Sequence, residues 1–281
     1  MVGSFRASIV VIVVAGCSSP PASPPPEPAP AAAPVAAAAH DPGPGDLLDA
    51  RDEAGQSLRF RIDSVAPASE DPDGEVFLYG LSVEQEGAWT AYCSPDIAGR
   101  SVAVPVAGSW AGDGRYTPGD EITFACTSGA IGKCILFGYK PWKSVNGTSL
   151  APYHAACVRM VRADYCGDGT PHTQDGTRID IFDRLGIQRP DPEPGIPEVF
   201  EAAWAPEGAA YLATPRWSDD VAAVVAECPD TLKGRTPVGA PLTAEQAQAR
   251  YPEALLFNAR MRDDADKTRP LSAFPAPHSP Q

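Results

Sequence analysis

Residues 162–177 read RADYCGDGTPHTQDGT and concentrate groups able to do chemistry: the carboxylates of Asp164, Asp168 and Asp175, the imidazole of His172 and the thiol of Cys166. Asp180 follows shortly after. Hard oxygen donors of this kind suit calcium, and Asp164, Asp168, Asp175 and Asp180 form one candidate ligand set. The DxDxDG spacing of an EF-hand loop is missing, so no cofactor is expected on pattern alone. A hydrolytic reading would use His172 or His154 as general base beside these carboxylates, with a cation assisting. A third reading is structural. Asp164 would accept hydrogen bonds from the amides of the following turn, Gly167 or Gly169 would take the left-handed conformation that ends a helix, and Tyr165 would pack beneath.

These residues are positioned by a helix read from about Ser149 to Ala163, with Leu150, His154, Cys157, Val158, Val161 and Tyr165 on one face. His154 on that face reads as a core residue, whereas His172, between Pro171 and Thr173, reads as an exposed loop residue. Upstream, Leu58, Phe60 and Ile62 alternate with polar residues, as do Phe77, Tyr79, Leu81 and Val83. The turn Asp71-Pro72-Asp73-Gly74 separates these two strands. Further strands are expected around Val102–Val106, Glu121–Cys126 and Cys134–Tyr139. Downstream, Arg178–Phe182 reads as a strand, and Phe200–Trp204 with Ala210–Ala213 as a hairpin about Pro206-Glu207-Gly208. Ser218, Asp219 and Asp220 predict the start of a helix ending near Glu227. Thr243 and Gln246 predict a capping box, and Pro252 ends that helix before Leu255–Phe257. The pattern is α+β: a β-rich, disulfide-stapled domain with a few helices and no parallel βαβ alternation.

The chain has seven cysteines. Cys17 stands apart, and Cys93, Cys126, Cys134, Cys157, Cys166 and Cys228 read as three disulfides of an exported domain. Along a helix, Cys157 and Cys166 would lie about 13 Å apart, beyond the roughly 7 Å that a disulfide tolerates. Each should therefore pair elsewhere. Cys126 and Cys134 flank TSGAIGK and are placed to face each other across a hairpin. No close CxxC pair points to zinc.

The amino terminus carries Arg6 and the apolar run Ala7–Ala15. At about nine residues this run falls short of the roughly 20 that span a bilayer and fits the core of a secretory signal. Val14-Ala15-Gly16-Cys17 resembles the lipobox of bacterial lipoproteins. That resemblance implies a signal peptide over 1–16, acylation of Cys17, and delivery to the outer membrane because uncharged Ser18 follows. Residues 17–45 form a Pro/Ala-rich disordered linker, a stalk with too little to bury. The globular domain is expected over 46–268, and residues 269–281 form a proline-rich tail. A net charge of −14 argues against nucleic acid as partner.

Ala163-Asp164-Tyr165-Cys166, continued by Gly167-Asp168-Gly169, resembles the naming motif of the ADYC domain, a bacterial family of secreted and lipid-anchored proteins. Phe124-Ala125-Cys126, Lys133-Cys134, Gly138-Tyr139-Lys140-Pro141-Trp142 and Leu255-Leu256-Phe257-Asn258 are similar to that family as well, so the resemblance runs from about residue 75 to 260. It implies an architecture and no catalytic residue, because no activity is established for the family. GxSxG, HExxH, P-loop and GxGxxG signatures are absent. The expectation is a cell-envelope lipoprotein that touches the bilayer through its acyl anchor and binds a protein or glycan ligand or serves a structural role. The alternative is an envelope hydrolase using the aspartate-rich loop and His172.

Overall fold

A computed structural model describes residues 43–51, 57–111, 114–173, 177–192, 198–216 and 221–261. Cys17, Asp175, Ser218, Asp219, Asp220, the signal, nearly all of the stalk and the tail lie outside these residues.

The first layer is an antiparallel sheet made from the alternating segments of the amino-terminal half. Its strands are β1 (Leu47–Arg51), β2 (Ser57–Pro67), β3 (Phe77–Gln85), β4 (Ala88–Ala91), β5 (Val102–Trp110) and β6 (Tyr116–Cys126), in the order β1-β2-β3-β5-β6 with β4 also on β3. Phe60, Ile62, Leu81 and Val83 bury one face. Leu78, Val104, Val106 and Ala125 bury the other against α1 (Ala130–Leu136).

That helix corrects the strand expected over Cys134–Tyr139. Gly132 lets it lie close to the end of β6, since a Cβ there would meet the Cys126 carbonyl oxygen at 2.4 Å. The Cys126–Cys134 hairpin is also corrected. Cys126 bonds Cys93, and Cys134 bonds Cys157 on the next helix.

The short strands β7 (Ser144–Val145) and β8 (Thr148–Ser149) form a hairpin. Its turn residues Asn146 and Gly147 have φ of 50° and 79°, as a two-residue turn with both positions left-handed requires. Helix α2 (Ala151–Arg162) follows, with His154 and Cys157 in the core as expected.

The second sheet holds β9 (Ile179–Asp183), β10 (Glu198–Ala205) and β11 (Gly208–Leu212). After them come the helices α3 (Val221–Glu227), α4 (Pro229–Leu232) and α5 (Ala244–Arg250), then β12 (Leu256–Met261). The order β11-β10-β12-β9 inserts the last strand between β10 and β9, antiparallel throughout. Thr243 and Gln246 make the predicted capping box of α5. One face of this sheet (Ala202, Trp204, Leu212, Leu256) packs on α2, and the other (Phe182, Ala203, Phe257) packs near α5. The described domain is therefore α+β, rich in strands and stapled by three disulfides.

Candidate functional site

Helix α2 ends when Ala163 turns left-handed (φ 52°, ψ 40°). The expected stop at Gly167 or Gly169 is corrected: both have positive φ, but they shape the loop beyond the helix. Asp164 is therefore just outside the helix, where the partial negative charge of the last carbonyls would repel it. Arg159 and Arg162 in the last turn oppose that repulsion.

The Asp164 carboxylate is 0% exposed and fully engaged. One oxygen accepts the Gly167 N–H at 2.8 Å. The other accepts the Gly169 N–H at 2.9 Å and the Arg159 guanidinium. Arg159, 2% exposed, also donates to the Pro206 carbonyl at 3.2 Å. The corner is thus fastened to the β10–β11 turn. Gly167 makes that approach possible, since a Cβ on it would come within 1.7 Å of the Glu207 carbonyl oxygen. The Ala209 N–H donates to the Tyr165 carbonyl at 3.0 Å, and Cys166 bonds Cys228 beyond α3.

Tyr165 points into the core, stacked on Trp204 with ring centroids 5.3 Å apart. Its hydroxyl donates to Glu201 at 2.8 Å and accepts the Arg216 N–H at 3.0 Å. Burial, reinforced by the Glu201 carboxylate, pushes this phenol well above its ordinary range, so it remains a donor. Buried Glu201 also accepts from the Arg216 guanidinium at 2.9 Å and from Asn258 Nδ2 at 2.7 Å, while Asn258 accepts from Trp204 Nε1 at 2.7 Å. Arg216 donates onward to the Met160 carbonyl at 2.7 Å and the Val161 carbonyl at 3.3 Å, giving a side-chain donor to the last turn of α2. The sequence reading missed Arg159, Glu201 and Arg216. For Arg159 and Glu201 the available signal was a charge set among apolar neighbours, in CVRMV and VFEAAW.

The other candidates scatter. Asp168 is exposed and accepts the Thr170 N–H at 2.8 Å, which holds its carboxyl below the usual range. Asp180 sits on β9 and accepts the Asp191 N–H. Among the described residues no three His, Cys, Asp or Glu side chains cluster at metal-binding range, and Asp175 lies outside them.

His154 is buried, with Nδ1 2.8 Å from the Tyr139 carbonyl and Nε2 accepting from Trp110 Nε1 at 3.1 Å. His172 corrects the exposed-loop expectation. Its side chain is 9% exposed, lies tilted against Tyr165 with ring centroids 5.7 Å apart, contacts the Ala163 carbonyl through Nδ1 at 3.1 Å and meets Glu227 through Nε2 at 2.6 Å.

A second buried joint uses the Gly138–Trp142 segment. Lys140, 5% exposed, reaches Asp71 at 2.5 Å, Asp73 at 2.9 Å and Glu75 at 2.9 Å. Asp71 itself accepts the amides of Asp73, Glu75 and Val76.

No curated protein and no solved structure matches the chain. The family model described as the ADYC domain matches residues 45–218, which starts earlier than the motifs suggested and ends before β12, the strand that completes the second sheet. The match includes Asp164, Tyr165, Cys166 and their partners Arg159, Glu201 and Arg216, and on that evidence the chain belongs to the ADYC domain family.

Proposed function

We propose that this protein is an exported lipoprotein, acylated at Cys17, which presents its domain on the Pro/Ala-rich stalk as a non-catalytic binding or structural module of the cell envelope. The observation that carries this reading is the pairing of all six cysteines among the described residues into three disulfides. Crosslinks of that density belong to oxidising compartments, and they leave Cys17 for the acyl chain. Support for a non-catalytic role comes from Asp164, whose oxygens are taken by two amides and a guanidinium. The ring nitrogens of His172 are likewise both engaged.

Expression in a bacterial host with and without globomycin tests the anchor. Processing should stop in its presence, and Cys17→Ser should leave the membrane fraction free of mature protein. Unchanged processing would remove the anchor from this reading. Six alkylatable thiols in the purified, unreduced chain would remove export. Hydrolysis of an envelope polymer that disappears in His172→Gln would favour the hydrolase alternative.

A further inference from the structure

On the face of the second sheet next to α5 lies a cleft of about 300 Å3. That is the lower end of the roughly 300–1,000 Å3 typical of small-molecule sites. Its floor is a cross-strand row. Asp180 on β9 is paired with Ala259 on β12, and Ala259 with Phe200 on β10. All three line the cleft. The row places a carboxylate and a phenyl ring on either side of the smallest side chain, about 10 Å apart across two strand spacings. Ala259 is thus the notch, with Asp180 as one wall and Phe200 as the other. Phe182, held by a 5.7 Å stack on Phe257, extends the apolar floor.

The charge around the notch is negative. Among the described residues that line the cleft, Asp180, Asp183, Glu198 and Glu245 stand against Arg189. Asp183 is spent on the Tyr139 hydroxyl and on the amides of Leu185, Ile187 and Gln188. Asp180 is less engaged: both its oxygens face the Asp191 N–H, at 3.0 and 3.1 Å, with a further backbone contribution from Ile181. Burial, with the Asp191 carboxylate nearby, raises its pKa, the condition of a carboxylate that a cation would stabilise.

We infer that this cleft binds a small organic cation, a primary ammonium or guanidinium on a short alkyl body, with its charge at Asp180 and its body over Ala259 against Phe200. The Asp180 carboxylate takes the charge, while Ala259, Phe182 and Phe200 give the alkyl chain an apolar surface to cover. The inference rests on the binding-module reading and names its ligand class.

Calorimetric titration of the purified full chain with n-pentylammonium, n-pentylguanidinium, pentan-1-ol and pentanoate tests it. Both cations should bind at least about tenfold more tightly than the alcohol, in line with charge-assisted hydrogen bonds being roughly twice as strong as neutral ones, and pentanoate should bind least. Asp180→Asn, which keeps an acceptor for the Asp191 amide, should remove the preference for the cations and leave pentan-1-ol unchanged. Ala259→Leu should fill the notch and weaken all the ligands. Thermal melting accompanies each variant, and should Ala259→Leu fail to fold, Asp180→Asn decides. Equal affinity for cation and alcohol, no binding of either cation, or an unchanged preference in Asp180→Asn would overturn the inference. Processing at Cys17 and disulfide pairing are read separately, so such a failure leaves the anchored-module reading to its own test.

Discussion

Removing the Asp164 carboxylate would leave the Arg159 guanidinium buried without its counter-charge and two loop amides without an acceptor. Breaking a buried pair from one side costs about 3–5 kcal/mol. Asp164→Ala should therefore lower unfolding free energy by about that amount in urea titrations, while Asp168→Asn, an exposed carboxylate with one amide bond, should change it by less than about 1 kcal/mol. Equal effects would refute the assignment of Asp164 as a clamp. Gly167 offers a second test of the same corner. Its φ of 73° is left-handed, and any Cβ would overlap the Glu207 carbonyl, which is backbone and cannot rotate away. Gly167→Ala should destabilise by more than about 3 kcal/mol, whereas Gly74→Ala, where φ is 67° but nothing lies within 4 Å, should cost only the conformational penalty of about 1–2 kcal/mol. The pair separates close approach from backbone strain, and similar losses in both would remove the docking argument.

At the level of elements, the disulfides divide the work unequally. Cys134–Cys157 joins α1 to α2 across a separation of 23 residues, whereas Cys166–Cys228 ties the α2 corner to the α3–α4 segment across 62. Loop-closure entropy predicts a loss of about 3 kcal/mol for Cys134→Ala/Cys157→Ala and about 4 kcal/mol for Cys166→Ala/Cys228→Ala. The sharper difference should appear in amide exchange. Only the second variant should speed exchange in α3 and α4, because the corner then loses its covalent tie to this segment and keeps the His172–Glu227 pair to the end of α3. Exchange that accelerates equally in both variants would contradict this.

Which elements were legible follows from how local their causes are. The Thr243 capping box, the Pro206–Gly208 hairpin and the α2 apolar face each lie within one short segment, so spacing alone predicts them. Helix α1 was not legible because an apolar run of this length suits helix and strand equally, and Gly132 reads as a breaker until Cys126 is seen against it. The Asp164 amide contacts were readable because they are local, while Arg216 and Glu201 reach Tyr165 from distant strands and loops. Cysteine pairing is tertiary and left only the exclusion of Cys157–Cys166.

Stability against acid is a property of the whole molecule, and two groups of residues set it in separate windows. His154 sits between a carbonyl that needs Nδ1–H and an indole N–H that needs a bare Nε2, so the fold accepts only the neutral ring. Burial lowers its pKa from 6.5 to about 4, with the Tyr139 carbonyl opposing only in part. The unfolded chain thus takes up a proton that the folded chain refuses. Stability is highest above the unfolded value, falls as pH drops from about 6.5 to about 4, and is then flat for this group. At roughly 1.4 kcal/mol per pH unit the window amounts to about 3 kcal/mol. The carboxylates of Asp71, Asp73 and Asp96 act in the same sense but in a lower window. Despite burial, ion pairs and amides hold Asp71 and Asp96 below their ordinary value, and Asp73 is lowered chiefly by Lys140. Their contribution persists above about pH 4 and is lost below it as they protonate. Unfolding free energy measured from pH 8 to 3 should therefore show two declines, an upper one from His154 and a lower one from the carboxylates. His154→Gln, which can still donate to Tyr139 and accept from Trp110, should flatten the upper decline and spare the lower. A profile whose upper limb survives that substitution would show that the neutral ring is not what links the fold to pH.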